Sequence, residues 1–251
     1  MLWIVIALFF KKEKIPTATY KWIAVLAFFE PFIYFIGETY GLQRVSPVIT
    51  SLVISTIPVF VAIVMRLFFK ARLTVINFVG IFISLSGVVL MLIGKDMQME
   101  VDVLGLVFLS IAVFSAVGYG ILLNKLAANV HPIWLVALQN TFGFLFFLPL
   151  YIAMRKTPNY SHDTVFTFFS PQGEMWICIL ALSIFSSSLA FIFYSMSVRK
   201  LGVARSAVFA NFIPVFTAIT SFILLGEQLS MPKIAGILIV IFGLILTQRK
   251  K

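Results

Sequence analysis

The uncharged stretch LGLVFLSIAVFSAVGYGILL, residues 104–123, decides the fold class. A helix rises 1.5 Å per residue and the hydrocarbon core of a bilayer is about 30 Å thick, so about 20 apolar residues cross it once. Seven further stretches of similar length and composition lie along the 251-residue chain. The eight predicted spans are 22–40, 47–67, 75–93, 104–123, 132–154, 175–196, 203–225 and 231–247.

The overall composition excludes a water-soluble domain and a disordered chain. Apolar residues make up 61% of the sequence and charged residues 11%, against roughly 45–50% and about 25% in ordinary soluble domains. The single cysteine, Cys178, forms no intrachain disulfide or multi-cysteine metal site. The sequence contains no HExxH motif, glycine-rich phosphate loop or nucleophile elbow. We therefore predict no enzyme activity, no cofactor and no bound metal.

The basic residues follow a topological pattern. Of the 19 Lys and Arg residues, 14 fall on one side when the spans alternate, while the other side holds five of them and seven of the nine acidic residues. Cytoplasmic loops carry the excess of Lys and Arg. The net charge of +10 is thus interpreted as a topology signal and not as a nucleic-acid footprint. It predicts a multi-pass protein of the plasma (inner) membrane with a cytoplasmic C-terminus.

An internal repeat appears at an offset of 156 residues. The tetrapeptide IPVF at 57–60 recurs at 213–216, and ten identities fall in register over about thirty residues. The two copies run in opposite directions by the charge count, so each repeat unit must contain an odd number of spans. We predict an all-α polytopic membrane protein built as an inverted repeat of two five-helix units, 1–96 and 97–251.

The first unit holds fewer spans than the second. It contains three complete spans and an apolar stub at 1–10, which is too short to cross the bilayer. The sequence therefore predicts a ten-helix architecture that lacks its first span and half of its second, beginning about 50 residues upstream by the repeat offset. The alternative is a natural eight-span protein with a short interfacial leader.

The second unit carries a family resemblance. Residues 189–249, LAFIFYSMSVRKLGVARSAVFANFIPVFTAITSFILLGEQLSMPKIAGILIVIFGLILTQR, resemble the EamA-type transporters of the drug/metabolite transporter superfamily. The resemblance rests on the basic loop before a helix rich in Ala and Ser, the Pro-Val-Phe centre, the Gly-Glu-x-Leu turn at 226–229 and two glycines in the last span. The first unit has KARL at 70–73 instead of that acidic turn. The resemblance implies ten helices in two inverted halves, both ends cytoplasmic, and a central cavity for small metabolites such as amino acids. Exporters are common in this family.

Glu30 is the sharpest candidate for a functional residue. It is the ninth of nineteen residues in its predicted span, and an ionised acid facing lipid at that depth costs about 2.5–3.5 kcal/mol. Tyr34 and Glu38 follow at i+4 and i+8, which predicts a polar stripe from the midplane to the outer mouth. Such a carboxylate could bind a substrate amine or carry a coupling proton. The alternative is a protonated acid bonded to a neighbouring helix.

Two prolines predict helix breaks at equivalent points of the repeat. Pro58 and Pro214 remove a backbone donor from their spans, and broken helices commonly frame transporter sites. Ser55 and Asn211 precede them by one turn and could contact substrate, or could instead satisfy freed carbonyls. Weaker polar candidates, which membrane helices also use for packing, are Tyr119, Gln139, Asn140 and 186–188.

Two pairs of glycines spaced seven apart predict close helix packing. Gly80 and Gly87 lie in one span, and Gly236 and Gly243 occupy the equivalent positions of the last span. Small residues on one face of a membrane helix let two backbones approach closely.

These features predict a secondary transporter that moves a small polar metabolite by alternating access, with export favoured. Its expected partners are that substrate, possible coupling protons and the lipid bilayer, with no nucleic acid. One alternative is a nucleotide-sugar antiporter of the same superfamily, whose site should carry Lys or Arg for the phosphates. Another is a non-transporting membrane scaffold or regulatory subunit.

Overall fold

The computed structural model describes Trp3, Ile6 and residues 13–45, 47–71, 73–92, 102–155, 173–225 and 231–248. The rest of the predicted stub at 1–10, the turn at 226–229 and the chain end at 249–251 lie outside these residues. Most of the described residues are helical, and none of them forms a strand.

The helices follow one another with short connections. The first half contains α1 (Thr17–Ala27), a π-helical segment (Phe28–Ile33), α2 (Tyr34–Leu42), α3 (Pro47–Ile54), α4 (Ile57–Leu67) and α5 (Val75–Leu92). The second half contains α6 (Val103–Leu126), α7 (Pro132–Arg155), α8 (Gly173–Ala181), a second π-helical segment (Leu182–Ala190), α9 (Phe191–Leu201), α10 (Val203–Ala207), a 3₁₀ turn (Val208–Asn211), α11 (Phe212–Leu225) and α12 (Met231–Gln248).

All eight predicted spans fall on these helices. Six are long and apolar enough to cross a membrane: Thr17–Leu42, Ile49–Leu67, Val103–Leu126, Pro132–Ala153, Trp176–Leu201 and Met231–Gln248. A seventh, Val75–Met91, is apolar but shorter, and the span at 203–225 is divided by the 3₁₀ turn. The prediction of an all-α polytopic membrane protein is confirmed.

Charged groups that the topology assigns to one side lie together. At one end of the bundle, the Arg44 guanidinium lies 3.0 Å from the Asp102 carboxylate. The hydrogen bond from Arg44 holds the pKa of Asp102 below its usual value, and a second hydrogen bond from the Leu104 N–H acts in the same direction. At the other end, the ammonium groups of Lys21 and Lys125 lie 5.6 and 5.5 Å from the Trp22 ring centre. Which end faces the cytoplasm stays a prediction.

Helices α5 and α12 cross antiparallel through their four glycines. A Cβ placed on Gly80 would lie 2.6 Å from the Gly243 carbonyl oxygen, and one on Gly87 would lie 2.8 Å from the Gly236 carbonyl oxygen. These distances leave no room for a side chain at either crossing point. The backbones therefore touch directly where the sequence analysis predicted close packing.

The main buried core lies around α6. It joins Leu123 of α6 to Leu135 of α7, Ile23 of α1 and Val203 of α10, all fully buried. This core holds α1, α6 and α7 together, which positions the residues of the site described next.

Candidate functional site

The helix from Thr17 to Leu42 is broken at Glu30. The backbone of Glu30 is extended, with φ −141° and ψ 120°, and lies within the π-helical segment Phe28–Ile33. Pro31 follows and has no N–H to continue the helical hydrogen bonds. The stripe through Glu30, Tyr34 and Glu38 is therefore not one continuous helical face, because the backbone changes direction between its first two members.

A cavity of about 290 Å³ opens beside this break. Four of its lining residues have polar side chains, Glu30, Tyr34, Tyr119 and Tyr194, and the others are apolar, Ile54, Ile57, Phe191 and Ile213 among them. Among the described residues that line it, none is Lys or Arg, and Glu30 supplies the one carboxylate. Within the described part of the chain, no side chain donates a hydrogen bond to that carboxylate.

Aromatic rings form one wall of the cavity. The rings of Tyr119 and Tyr194 stack with centres 6.5 Å apart and an interplanar angle of 15°. Phe191 meets Tyr119 edge-on at 6.2 Å. Ring faces and a carboxylate attract the same kind of ligand, a cation, because both present negative potential. The cavity is thus suited to a cationic group of modest size.

The structure brings together three of the predicted site residues and leaves three outside. Glu30, Tyr34 and Tyr119 line the cavity, whereas Glu38 is reached through the Tyr34 hydroxyl, which donates a hydrogen bond to Glu38 Oε1 at 3.1 Å.

Ser55 and Asn211 lie one residue away from the lining rather than in it. The Ser55 hydroxyl donates to the Leu52 carbonyl at 2.8 Å, and the Asn211 amide donates to the Ser84 hydroxyl at 3.0 Å. Ile54 and Ala210, their chain neighbours, line the cavity instead. A contact between substrate and Ser55 or Asn211 stays a prediction.

The backbone is irregular before both prolines. Residues 55–56 form a turn between α3 and α4, and Pro58 is near the start of α4. The 3₁₀ turn Val208–Asn211 precedes Pro214 in the same way. Both irregular segments border cavity-lining residues, so the predicted breaks lie beside the cavity.

Sequence reasoning missed Tyr194 and Phe191 and gave Gln139 only as a weaker polar candidate, with helix packing as the alternative. Tyr194 and Phe191 line the cavity, and Gln139 bonds to the backbone of Glu30 and to Tyr119. A tyrosine inside a membrane span was the available signal for Tyr194, since its hydroxyl needs a partner or a polar cavity. No comparable signal distinguishes Gln139 from Asn140.

A second, more open cavity of about 740 Å³ lies on another side of the break. It is bordered by Pro31 and Phe35, by α7 residues from Ala137 to Phe147, and by Ser183, Ser187 and Ser188. No charged residue is among the described residues lining it. The first cavity, which contains the carboxylate, is therefore the stronger candidate site.

The comparisons with known proteins agree with this architecture. The model of the EamA-like transporter family matches two segments of the chain, residues 1–93 and 103–249. The chain belongs to the EamA-like transporter family. This confirms the family resemblance, and it makes the protein a multi-pass membrane transporter with a small-molecule substrate.

Several relatives of this EamA-like transporter are named as uncharacterized transporters. The chain is 26% identical to the uncharacterized transporter YetK of Bacillus subtilis, over 97% of this chain and 73% of the relative. It is also 26% identical to an uncharacterized transporter of Archaeoglobus fulgidus, over 91% of this chain and 78% of the relative. A solved crystal structure with 16% identity matches with a TM-score of 0.77, covering 98% of this chain and 82% of the other. That similarity supports the fold alone.

Proposed function

We propose that this EamA-like transporter moves a small metabolite that carries a primary amine, such as an amino acid, out of the cell by alternating access. The observation that carries the proposal is the cavity of about 290 Å³, which is lined by Glu30 and three tyrosines. The carboxylate accepts no hydrogen bond from the described residues. A substrate ammonium would supply the charge-assisted hydrogen bonds that it lacks.

The lining chemistry favours an amine over a phosphate. A nucleotide sugar would need Lys or Arg to hold its phosphates, and the described lining has neither. The stacked pair Tyr119 and Tyr194 offers ring faces that attract a cation. A substrate carboxylate would find a donor in the Tyr194 hydroxyl and not in a basic side chain, because the hydroxyls of Tyr34 and Tyr119 already donate to Glu38 and Gln139.

Three observations support two halves that rock about the cavity. The family model matches the chain twice, and the two π-helical segments lie at equivalent positions of the 156-residue repeat. The repeat also relates the glycine contacts between α5 and α12. The offset of 156 carries Gly80 onto Gly236 and Gly87 onto Gly243, so the contact of Gly80 with Gly243 is equivalent to the contact of Gly236 with Gly87. Inverted repeats around a midplane site are the usual basis of alternating access.

Glu30 can serve a second purpose in the same cycle. A carboxylate that alternates between an ammonium and a proton couples substrate movement to proton movement in the opposite direction. This would let the proton gradient drive export. The amine-binding role and the proton-coupling role differ in their effect on substrate exchange across a membrane. Exchange needs the contact between Glu30 and the amine, but it needs no net proton movement.

The test is transport by the purified protein in lipid vesicles. Labelled threonine, leucine, phenylalanine, lysine and putrescine are offered in counterflow, and separately with an imposed pH gradient. We expect at least one compound to be transported, and Glu30→Gln to lower its counterflow about 100-fold or more, because removing the carboxylate leaves the bound ammonium as an unpaired charge, which costs about 3–5 kcal/mol. If Glu30→Gln keeps counterflow but loses accumulation driven by the pH gradient, the carboxylate carries the proton and not the amine.

Asp102→Asn is the matched control. It makes the same carboxylate-to-amide change at an exposed helix N-terminus outside the cavity, and Asn remains a good helix cap. It should transport within twofold of the unchanged protein. Full counterflow and full gradient-driven transport by Glu30→Gln would contradict the proposal, and failure of a well-folded protein to move any of the five compounds would favour the scaffold interpretation.

A further inference from the structure

The break at Glu30 is held by two side chains from neighbouring helices. The Ser115 hydroxyl of α6 donates a hydrogen bond to the Phe29 carbonyl at 2.7 Å, and the Gln139 side-chain amide of α7 donates to the Glu30 carbonyl at 3.1 Å. Ser115 is 4% exposed and Gln139 is fully buried. Water therefore does not replace either bond in this part of the bundle.

Two glycines let the broken segment sit close to the same helices. A Cβ on Gly118 of α6 would lie 3.0 Å from the Phe29 ring, and a Cβ on Gly143 of α7 would lie 2.7 Å from the Pro31 ring. A side chain at either position would push the segment away. We call Ser115, Gly118, Gln139 and Gly143 the socket of the broken helix.

Gln139 differs from the rest of the socket because it also reaches a cavity residue. Its side-chain oxygen accepts a hydrogen bond from the Tyr119 hydroxyl at 3.5 Å, while its nitrogen bonds the Glu30 backbone. Tyr119 and Glu30 both line the cavity, but Gln139 does not. One buried amide thus links the aromatic wall of the cavity to the residue that presents the carboxylate.

We propose that Gln139 is a positioning residue that fixes the Glu30 carboxylate relative to the Tyr119 ring and so sets the preference of the cavity for an amine. The inference rests on the proposed function, because it assigns Glu30 the amine contact. A carboxylate on a broken helix has more freedom than one on a regular helix, since fewer backbone hydrogen bonds hold it. The hydrogen bond from Gln139 to the Glu30 carbonyl restricts that freedom at the residue that carries the carboxylate.

Asn140, the next residue, shows what a packing amide does in the same helix. Its side chain donates to the Ser187 carbonyl at 3.0 Å, and among the described residues it makes no hydrogen bond to Glu30 or Tyr119. It therefore joins α7 to the second π-helical segment without reaching the carboxylate. Asn140→Leu is the matched control for Gln139→Leu, because both changes replace a polar amide with an apolar side chain of similar size at adjacent positions.

The first measurement is selectivity in the vesicle assay. For the transported compound of the five, inhibition by its unlabelled form is compared with inhibition by the analogue in which hydrogen replaces the amino group, which keeps the carbon skeleton but lacks that positive charge. We expect Gln139→Leu to lower this amine preference about tenfold through a higher KM, with the maximal rate within twofold. Tenfold corresponds to 1.4 kcal/mol, the size of a lost buried hydrogen bond. Asn140→Leu should keep the preference within twofold.

The second measurement does not depend on transport. Dicyclohexylcarbodiimide modifies protonated carboxylic acids inside membranes, and mass spectrometry gives its rate at Glu30. We expect Gln139→Leu to change that rate at least fivefold, and Asn140→Leu to leave it unchanged. A variant that fails to fold is replaced by Tyr119→Phe, which removes only the hydroxyl that binds Gln139 and should also lower the amine preference.

The outcomes separate the two proposals. An unchanged Glu30 labelling rate and an unchanged amine preference in Gln139→Leu overturn the positioning role, even if Glu30→Gln abolishes transport. A second outcome is that Gln139→Leu changes the labelling rate at Glu30 while Glu30→Gln transports normally. Gln139 then positions Glu30, but the function proposed for Glu30 is overturned. Equal loss of recognition of the amine and of the analogue without the amino group in Gln139→Leu contradicts a role in selectivity.

Discussion

The two π-helical segments of the molecule share a position in the repeat but differ in chemistry. The offset of 156 carries residues 28–33 onto 184–189, which fall inside the second segment, Leu182–Ala190. Where the first segment has Glu30 and Pro31, the second has Ser186 and Ser187. The same backbone deviation thus occurs twice, and only the first occurrence carries an ionisable group.

The two segments are also stabilised differently. The first is held from outside by Ser115 and Gln139. In the second, the Ser188 hydroxyl donates to the Ser183 carbonyl and the Ser183 hydroxyl donates to the Leu180 carbonyl, both at 2.9 Å. A serine that bonds its own helix supports a local deviation without a neighbour. From outside, Asn140 of α7 adds one bond to the Ser187 carbonyl of the second segment. The difference teaches that the first segment takes two bonds from neighbouring helices beside its carboxylate, whereas the second combines one such bond with two of its own.

The largest expected effect distinguishes the two segments directly. Glu30→Gln should lower transport about 100-fold or more, since the carboxylate faces the cavity. Ser186→Ala, at the equivalent position, should stay within twofold, because Ser186 is exposed and lines neither described cavity. Comparable losses in both variants, measured by counterflow at equal protein content, would mean that the two segments act alike.

The next largest effect is expected at the crossing of α5 and α12, where the two repeat units place glycines at equivalent positions. Gly80→Ala and Gly236→Ala occupy matching positions of the α5 and α12 crossing, so each should lower stability by about 1–3 kcal/mol through overpacking. Thermal unfolding in detergent should show similar decreases in Tm for the two variants. Val79→Ala, at a side chain 45% exposed, should cost less than either. A large decrease for one glycine alone would contradict the paired arrangement.

A smaller effect is expected at the aromatic wall. Tyr119→Phe keeps the stacked ring but removes the hydrogen bond to Gln139. We expect KM for the transported compound to rise about fivefold, in line with about 1 kcal/mol for one hydrogen bond. Tyr40→Phe, at a ring 42% exposed outside the cavity, should leave KM unchanged. An unchanged KM in Tyr119→Phe would show that the hydroxyl has no part in recognition.

The smallest effect is expected far from both segments, at the exposed pair of Arg44 and Asp102. The folded protein holds the pKa of Asp102 below its usual value. The Asp102 carboxylate therefore stabilises the folded state fully at a pH above that usual value, and this stabilisation is lost as the pH falls below about 4. Asp102→Asn should therefore lower Tm slightly at pH 7 and not at about pH 3, with transport unchanged. A decrease in Tm that persists at the lower pH would assign it to something other than the carboxylate charge.

The sequence alone predicted the membrane class, the positions of all eight spans and the family, because these depend on apolar length and on local motifs. It also identified Glu30, since a carboxylate in the middle of a span must find a polar environment. It predicted close helix packing at the four glycines, because a backbone contact requires small residues at regular spacing, and did not predict which helices meet there. Each of these properties follows from neighbours along one helix.

The tertiary structure decided which polar groups share a cavity. Ser55 and Asn211 lie behind Ile54 and Ala210, while Tyr194 comes to Tyr119 from α9. Gln139 and Asn140 are indistinguishable in sequence, yet one binds the Glu30 backbone and the other the second π-helical segment. Helix rotation and crossing decide such contacts, and they depend on side chains far apart in the chain. The sequence by itself determined that a carboxylate lies within the membrane, and only the packing of α6, α7 and α9 determined what faces it.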